Sequence, residues 1–152
     1  MADRFVYVTY IESDLQKVWD ALTKPEFTRQ YWVGTTHRTS WKKGEDWALM
    51  IPDGRVGDSG KILEIDPPRR LVVSWRNEFQ PGMREEGYSR ASFDLAQDGD
   101  MVKLIVIHEM DKDGSKLIEA VSNGWPRLLA CMKTLLETGR APAGADKWPE
   151  GV

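Results

Sequence analysis

The chain carries one cysteine, Cys131, and two histidines, His37 and His108, far apart among its 152 residues. A lone cysteine makes no intramolecular disulfide, which fits a reducing compartment and says nothing more about chemistry. Two histidines and one thiol supply no cluster at metal-ligand spacing, so neither a metal nor a cofactor is expected. The sequence has no Gly-x-Ser-x-Gly, no Walker pattern and no Gly-x-Gly-x-x-Gly, and no catalytic residue is assigned. No apolar run approaches the roughly 18 residues of a membrane span, and "MADRFVYVTY" lacks the basic-then-apolar pattern of a secretory leader. A basic excess is missing too: the net charge is −3, which argues against nucleic acid and anionic membrane as partners. The expected location is cytoplasmic.

What remains is 41% hydrophobic and 30% charged, the composition of one globular domain with a sizeable core. "FVYVTYI" reads as a strand. In "SDLQKVWDALTKP", Ser13 and Gln16 are spaced as a capping box ahead of Leu15, Val18, Trp19 and Leu22, which predicts a short amphipathic helix. Pro25 suits the first turn of a second short helix in "PEFTRQYW".

From Trp41 onward the period is that of strands. "EDWALMI", "KILEI", "LVVSW", "YSRASFDL" and "MVKLIVIHE" are separated by turn chemistry at Pro52-Asp53-Gly54, Asp66-Pro67-Pro68, Pro81-Gly82 and Asp98-Gly99, which predicts an antiparallel meander. "DGRVGDSG" reads as turn glycines. Alternation groups Leu71, Val73 and Trp75; Ala91, Phe93 and Leu95; and Val102, Leu104, Val106 and His108, each set on one face of its strand.

Leu117, Ile118, Val121, Trp125, Leu128, Leu129, Met132, Leu135 and Leu136 then recur in steps of three and four, the stripe of a long amphipathic helix in which Cys131 reads as a small core residue. Pro126 falls inside it at a cost of about 3 kcal/mol in a regular helix, so a kink or break is expected near Ser122 to Trp125. The tail "RAPAGADKWPEGV" has no period and is expected to be irregular or loosely attached, with Trp148 as the exception that docks on the surface. The domain is expected over 1–139 and the tail over 140–152.

With "VWDALTKPEFTRQYW", "GKILEIDPPRRLVVSW", "SFDLAQDGDMVKLIVIHE" and "GWPRLLACMKTLLETG" in this order, the chain resembles the SRPBCC superfamily, with its START and Bet v 1-like helix-grip fold. Within it, the sequence is similar to the activator of Hsp90 ATPase homologue (AHSA1-like) group, from about Phe5 to Gly139. The resemblance implies an α+β fold in which a curved antiparallel sheet wraps around the long C-terminal helix, two short helices follow the first strand, and a cavity lies between sheet and helix. Six strands are expected from the pattern above.

That fold makes the inward set candidate cavity-lining residues: Trp32, Val73, Trp75, Tyr88, Phe93, Leu104, Val106, His108, Trp125, Leu128, Leu129 and Met132. The aromatics would stack on a flat or apolar ligand, with Tyr88 or an indole N–H fixing its orientation, or they simply fill the core. His108 sits on the apolar parity of its strand, as a polar anchor or proton donor at the cavity edge or, the favoured reading, as a hydrogen-bonded residue at the strand end. Glu64 shares parity with Ile62, yet a buried unpaired carboxylate is costly, so exposure or pairing with an arginine is expected. Arg69-Arg70 reads as a solvated turn, and "MREEGYSR" as an exposed loop or a lid over one end of the cavity. The leading expectation is binding of a small hydrophobic molecule, namely a lipid, a polyketide-like compound or an aromatic. The alternatives are an interaction domain that stimulates a chaperone ATPase, and a cyclase or aromatase using His108, Tyr88 or an inward carboxylate for proton transfer.

Overall fold

In the computed structural model, which describes residues 3–152, the chain runs β1 (Asp3–Glu12), α1 (Leu15–Thr23), α2 (Pro25–Tyr31), β2 (Thr36–Thr39), β3 (Asp46–Met50), β4 (Val56–Asp66), β5 (Arg70–Asn77), α3 (Pro81–Arg84), β6 (Ser89–Asp98), β7 (Met101–Met110) and α4 (Lys116–Thr138). Met1 and Ala2, which the sequence reading includes in the domain, lie outside the described residues. The strands form one curved antiparallel sheet in the order β1-β7-β6-β5-β4-β3-β2. The fold class is the expected one, with seven strands where the pattern indicated six. The extra strand, β2, is the four-residue stretch Thr-His-Arg-Thr, too short and too polar to alternate visibly, and it is held by its ladder to β3.

Alternation sorts the faces as anticipated. Leu71 pairs with Phe93 and Phe93 with Val106, while Val73 pairs with Ala91 and Ala91 with His108, so these side chains tile one inner wall. All six are at most 4% exposed, and α4 lies along β1 and across this wall. On the outer face of β1, an edge strand, Val6, Val8 and Tyr10 remain exposed.

Local features adjust the sequence reading. The cap of α1 is Asp14, not Ser13: its carboxylate accepts from the Lys17 N–H at 2.9 Å, and Gln16 instead donates along the helix to Asp20. In β4 a bulge separates the pairs Ile62–Val73 and Glu64–Val72, so Leu63 is an extra residue and the parity flips. Glu64 therefore joins the outer face, where Arg70 donates to it at 3.0 Å. Arg70 also bonds Asp94 at 2.6 Å, so it is half of an ion-pair network and not a free turn residue.

Helix α4 is continuous from Lys116 to Thr138 with Pro126 inside it, so the anticipated break is absent. Trp125 and Leu129 on either side of the proline are buried in the core, and such packing holds a helix together where propensity alone would not. Ser115 caps its start and Gly139, at φ 84°, its end. The tail is irregular but attached: the Val33 N–H donates to the Ala145 carbonyl at 2.9 Å, and the Trp148 ring meets Phe79 edge-on at 5.4 Å.

Candidate functional site

At one end of the sheet, the space between β4–β5 and α4 is not filled. A cavity of about 270 Å³ opens there, walled by Trp32, Trp75, Trp125 and Trp148 together with Phe79 and Met83, and with Thr35, Asp58, Asn77 and Gln80 as polar groups. Three of these indoles belong to one edge-to-face cluster: Trp125 meets Trp32 at 5.6 Å and Trp75 at 5.7 Å, with Phe93 at 5.6 Å on another side. Small residues leave room on the α4 side, where Ala120 and Gly124 lie among Leu117, Val121, Trp125 and Leu128, and a Cβ placed on Gly124 would meet nothing within 4 Å.

Of the residues named from the sequence, Trp32, Trp75, Trp125 and Leu128 line this cavity. Val73 and Phe93 border only a gap of about 10 Å³ deeper in the core, beside Leu22 and His37. Leu104, Val106, His108, Leu129 and Met132 are core residues, each at most 1% exposed. Tyr88 does not face inward: it is 51% exposed and lies on the outer face, with the Arg76 guanidinium 4.7 Å over its ring. Its parity is opposite to that of Phe93, so the alternation that buries Ser89, Ala91 and Phe93 turns Tyr88 out.

His108 is wholly committed to the core. The Trp125 indole N–H donates to its Nδ1 at 3.2 Å, so the ring proton sits on Nε2. That N–H meets the Ser89 hydroxyl at 2.7 Å, and Ser89 donates onward to the Trp75 carbonyl at 2.9 Å. Burial lowers the His108 pKa to about 3, in keeping with a neutral ring. His37 repeats the arrangement, accepting from the Trp47 indole at 2.9 Å and donating to the Leu22 carbonyl at 2.8 Å. Burial lowers its pKa to about 4, against a smaller upward pull from the Leu22 carbonyl. Both rings position tryptophans, and neither offers a proton to the cavity.

The polar group that does reach the cavity was not singled out by the sequence reading. Asp58 belongs to β4, which begins at Val56 inside the stretch read as turn. Its Oδ1 accepts from the Trp75 indole at 2.9 Å and from the Asn77 amide at 3.3 Å. Every fully buried polar side-chain atom among the described residues is partnered, so Oδ2, which has no partner, keeps some exposure on a residue that lines the cavity. Burial raises the Asp58 pKa to about 7, against the two hydrogen bonds, which lower it, and with a smaller upward push from Glu78. Shared parity with Ile62 was the available signal, masked by the glycines around it.

The stretch "MREEGYSR" reaches the cavity through Met83 and is tied down. Glu86 accepts from the backbone N–H of Lys116 at 2.7 Å and of Leu117 at 3.2 Å, and from the Ser115 hydroxyl at 2.7 Å. A carboxylate is well placed at the α4 N-terminus, where N–H groups lack helical partners. A second groove, of about 780 Å³, lies on the outer face between Arg38, Lys61, Glu78 and Tyr88. Among the described residues no three His, Cys, Asp or Glu side chains converge as metal ligands, and no helix is long and apolar enough to cross a membrane.

A family model described as "Activator of Hsp90 ATPase homolog 1-like protein" matches residues 13–137. Among solved structures, CalU16 from Micromonospora echinospora is 23% identical, with a TM-score of 0.71 over 91% of this chain and 78% of that one. The Aha1 dimer from Colwellia psychrerythraea is 14% identical, with a TM-score of 0.73 over 91% of this chain and 99% of that one. PFC0360w, an HSP90 activator from Plasmodium falciparum, is 20% identical, with a TM-score of 0.70 over 88% of this chain and 96% of that one. No curated protein matches this chain in sequence.

Proposed function

This chain belongs to the activator of Hsp90 ATPase homologue 1-like family, and on that premise we propose that it binds a small apolar molecule with a flat, aromatic body in the cavity between β4–β5 and α4. The observation that carries the reading is the four-tryptophan cavity of about 270 Å³, just below the ~300–1,000 Å³ typical of ligand pockets. Its size favours an aromatic or short polyketide-like body over a long acyl chain. Affinity comes from burying apolar surface, at roughly 25 cal/mol per Å², with indole edges and faces setting the ligand plane. The cytoplasm is the proposed setting, consistent with a single unpaired thiol, Cys131.

Native mass spectrometry of the purified protein tests this, with denaturing extraction to identify any adduct. A one-to-one small-molecule adduct, absent from a Gly124→Phe variant, is expected. An apo mass together with no calorimetric binding of any small aromatic probe, neutral or charged, would overturn the reading.

A second reading, stimulation of a chaperone ATPase, is favoured by the family description and by the likeness to a protein named as an HSP90 activator. Adding the chain to a purified Hsp90 and measuring ATP turnover tests it. A rise that Gly124→Phe leaves intact would assign that activity to the outer surface and not to the cavity.

A further inference from the structure

We propose that Asp58 sets the chemical class of the ligand: the cavity takes small aromatic molecules that carry a protonated amine, and it rejects aromatic carboxylates. This rests on the cavity-binding reading above and adds the sign of the ligand's charge. Among the described residues lining the cavity, Asp58 is the only ionisable side chain, and none is a lysine or arginine. Its Oδ1 is saturated by Trp75 and Asn77, which fixes the carboxyl plane and leaves Oδ2 as the carboxyl oxygen without a protein partner. The Asn77 carbonyl oxygen is likewise spent on the backbone N–H groups of Phe79 and Gln80. A ligand N–H therefore has one anionic acceptor, Asp58, beside the neutral Gln80 amide, and a ligand carboxylate would meet a like charge with no cation to offset it.

The walls suit the same class. Indole faces attract an ammonium group and stack on an aromatic body, so one ligand can satisfy both ends of the site. The elements packed around Asp58 supply apolar groups at Leu49 of β3, at Val121 and Trp125 of α4, at Met83 of α3 and at Trp148 of the tail. The charged group whose field reaches Asp58 is Glu78, itself clamped by Arg76 at 2.7 Å and Arg84 at 3.0 Å. With its pKa raised to about 7 by burial, Asp58 is partly protonated near neutrality, and an ammonium group would draw it into the ionised form.

Isothermal calorimetry with three matched probes, phenethylamine, phenethyl alcohol and hydrocinnamate, tests the proposal on the intact protein and on Asp58→Asn. The amine is expected to bind at least about tenfold more tightly than the alcohol, and the carboxylate more weakly than either. In Asp58→Asn the amine should lose its advantage while the alcohol keeps its affinity. Wild-type protein provides an independent check should that variant fold poorly: amine affinity falls about tenfold from pH 8 to pH 6 as Asp58 takes up a proton, and alcohol affinity does not. An amine that binds no better than the alcohol, or an advantage that survives Asp58→Asn, overturns the proposal and leaves the cavity reading standing. Absence of binding by all three overturns both.

Discussion

The Trp125 indole N–H donates to Nδ1 of His108 at 3.2 Å, across the interface between α4 and β7. An indole can only donate, so this contact sets the histidine tautomer, and through Ser89 it ties the helix to the Trp75 backbone. The tryptophan that forms one cavity wall is thereby fixed from behind.

Trp125→Phe keeps an aromatic body but leaves Nδ1 of His108 buried without a donor. The expected cost is about 1–3 kcal/mol, measured by urea unfolding. Adding His108→Leu should recover part of it, because two apolar partners leave no polar atom stranded. A double-variant loss equal to the sum of the two single-variant losses would show that the pair is not coupled.

Stability should depend on pH with a sign set by three buried groups. His108 and His37 have folded pKa values of about 3 and about 4, below the ordinary 6.5. The unfolded chain therefore binds more protons, and their contribution is present above pH ~6.5 and lost as pH falls. Asp58, raised to about 7, works oppositely, and its contribution fades as pH rises through about 4 to 7. Between pH 5 and 6 two protons oppose one, so stability climbs by roughly 1 kcal/mol per pH unit. In Asp58→Asn the slope should steepen by about 1.4 kcal/mol per pH unit, the value of one proton, as read from urea midpoints at each pH.

Gly124 lies inside α4, at the rim of the cavity, with open space where a Cβ would go. Gly124→Ala should raise stability by about 0.5–1 kcal/mol through the helix backbone alone. Gly124→Phe should leave the protein folded and abolish probe binding, a separation that thermal melts and calorimetry read together.

Gly60 behaves differently, because a Cβ there would overlap the Ser74 carbonyl, backbone against backbone. Gly60→Ala is expected to cost more than about 3 kcal/mol or to prevent folding. Gly57→Ala, whose Cβ would touch the Ile51 side chain at 3.1 Å, should cost much less in the same denaturant assay.

The inner wall was legible in the sequence because Leu71, Phe93 and Val106 alternate cleanly and their strands are long. What escaped it lies where local signals are weak or interrupted. β2 has no apolar residue to alternate, and Asp58 is flanked by glycines that read as turn; Glu64 pairs with Arg70 as its charge required, by way of a bulge at Leu63 that has no local signal. Tyr88 was grouped with the inward aromatics by residue type, although its parity already pointed outward. Pro126 is tolerated because Trp125 and Leu129 are buried beside it, a tertiary fact that no helix propensity contains. Four tryptophans converging on one cavity, one of them from the tail, is a relationship between distant segments and has no local signature.

The most direct test titrates phenethyl alcohol into isotopically labelled protein and follows the indole N–H signals of all seven tryptophans. The account predicts that Trp32, Trp75, Trp125 and Trp148 shift together with one affinity while Trp19, Trp41 and Trp47 stay in place. Shifts confined to the second set, or none in any of the seven, would contradict it.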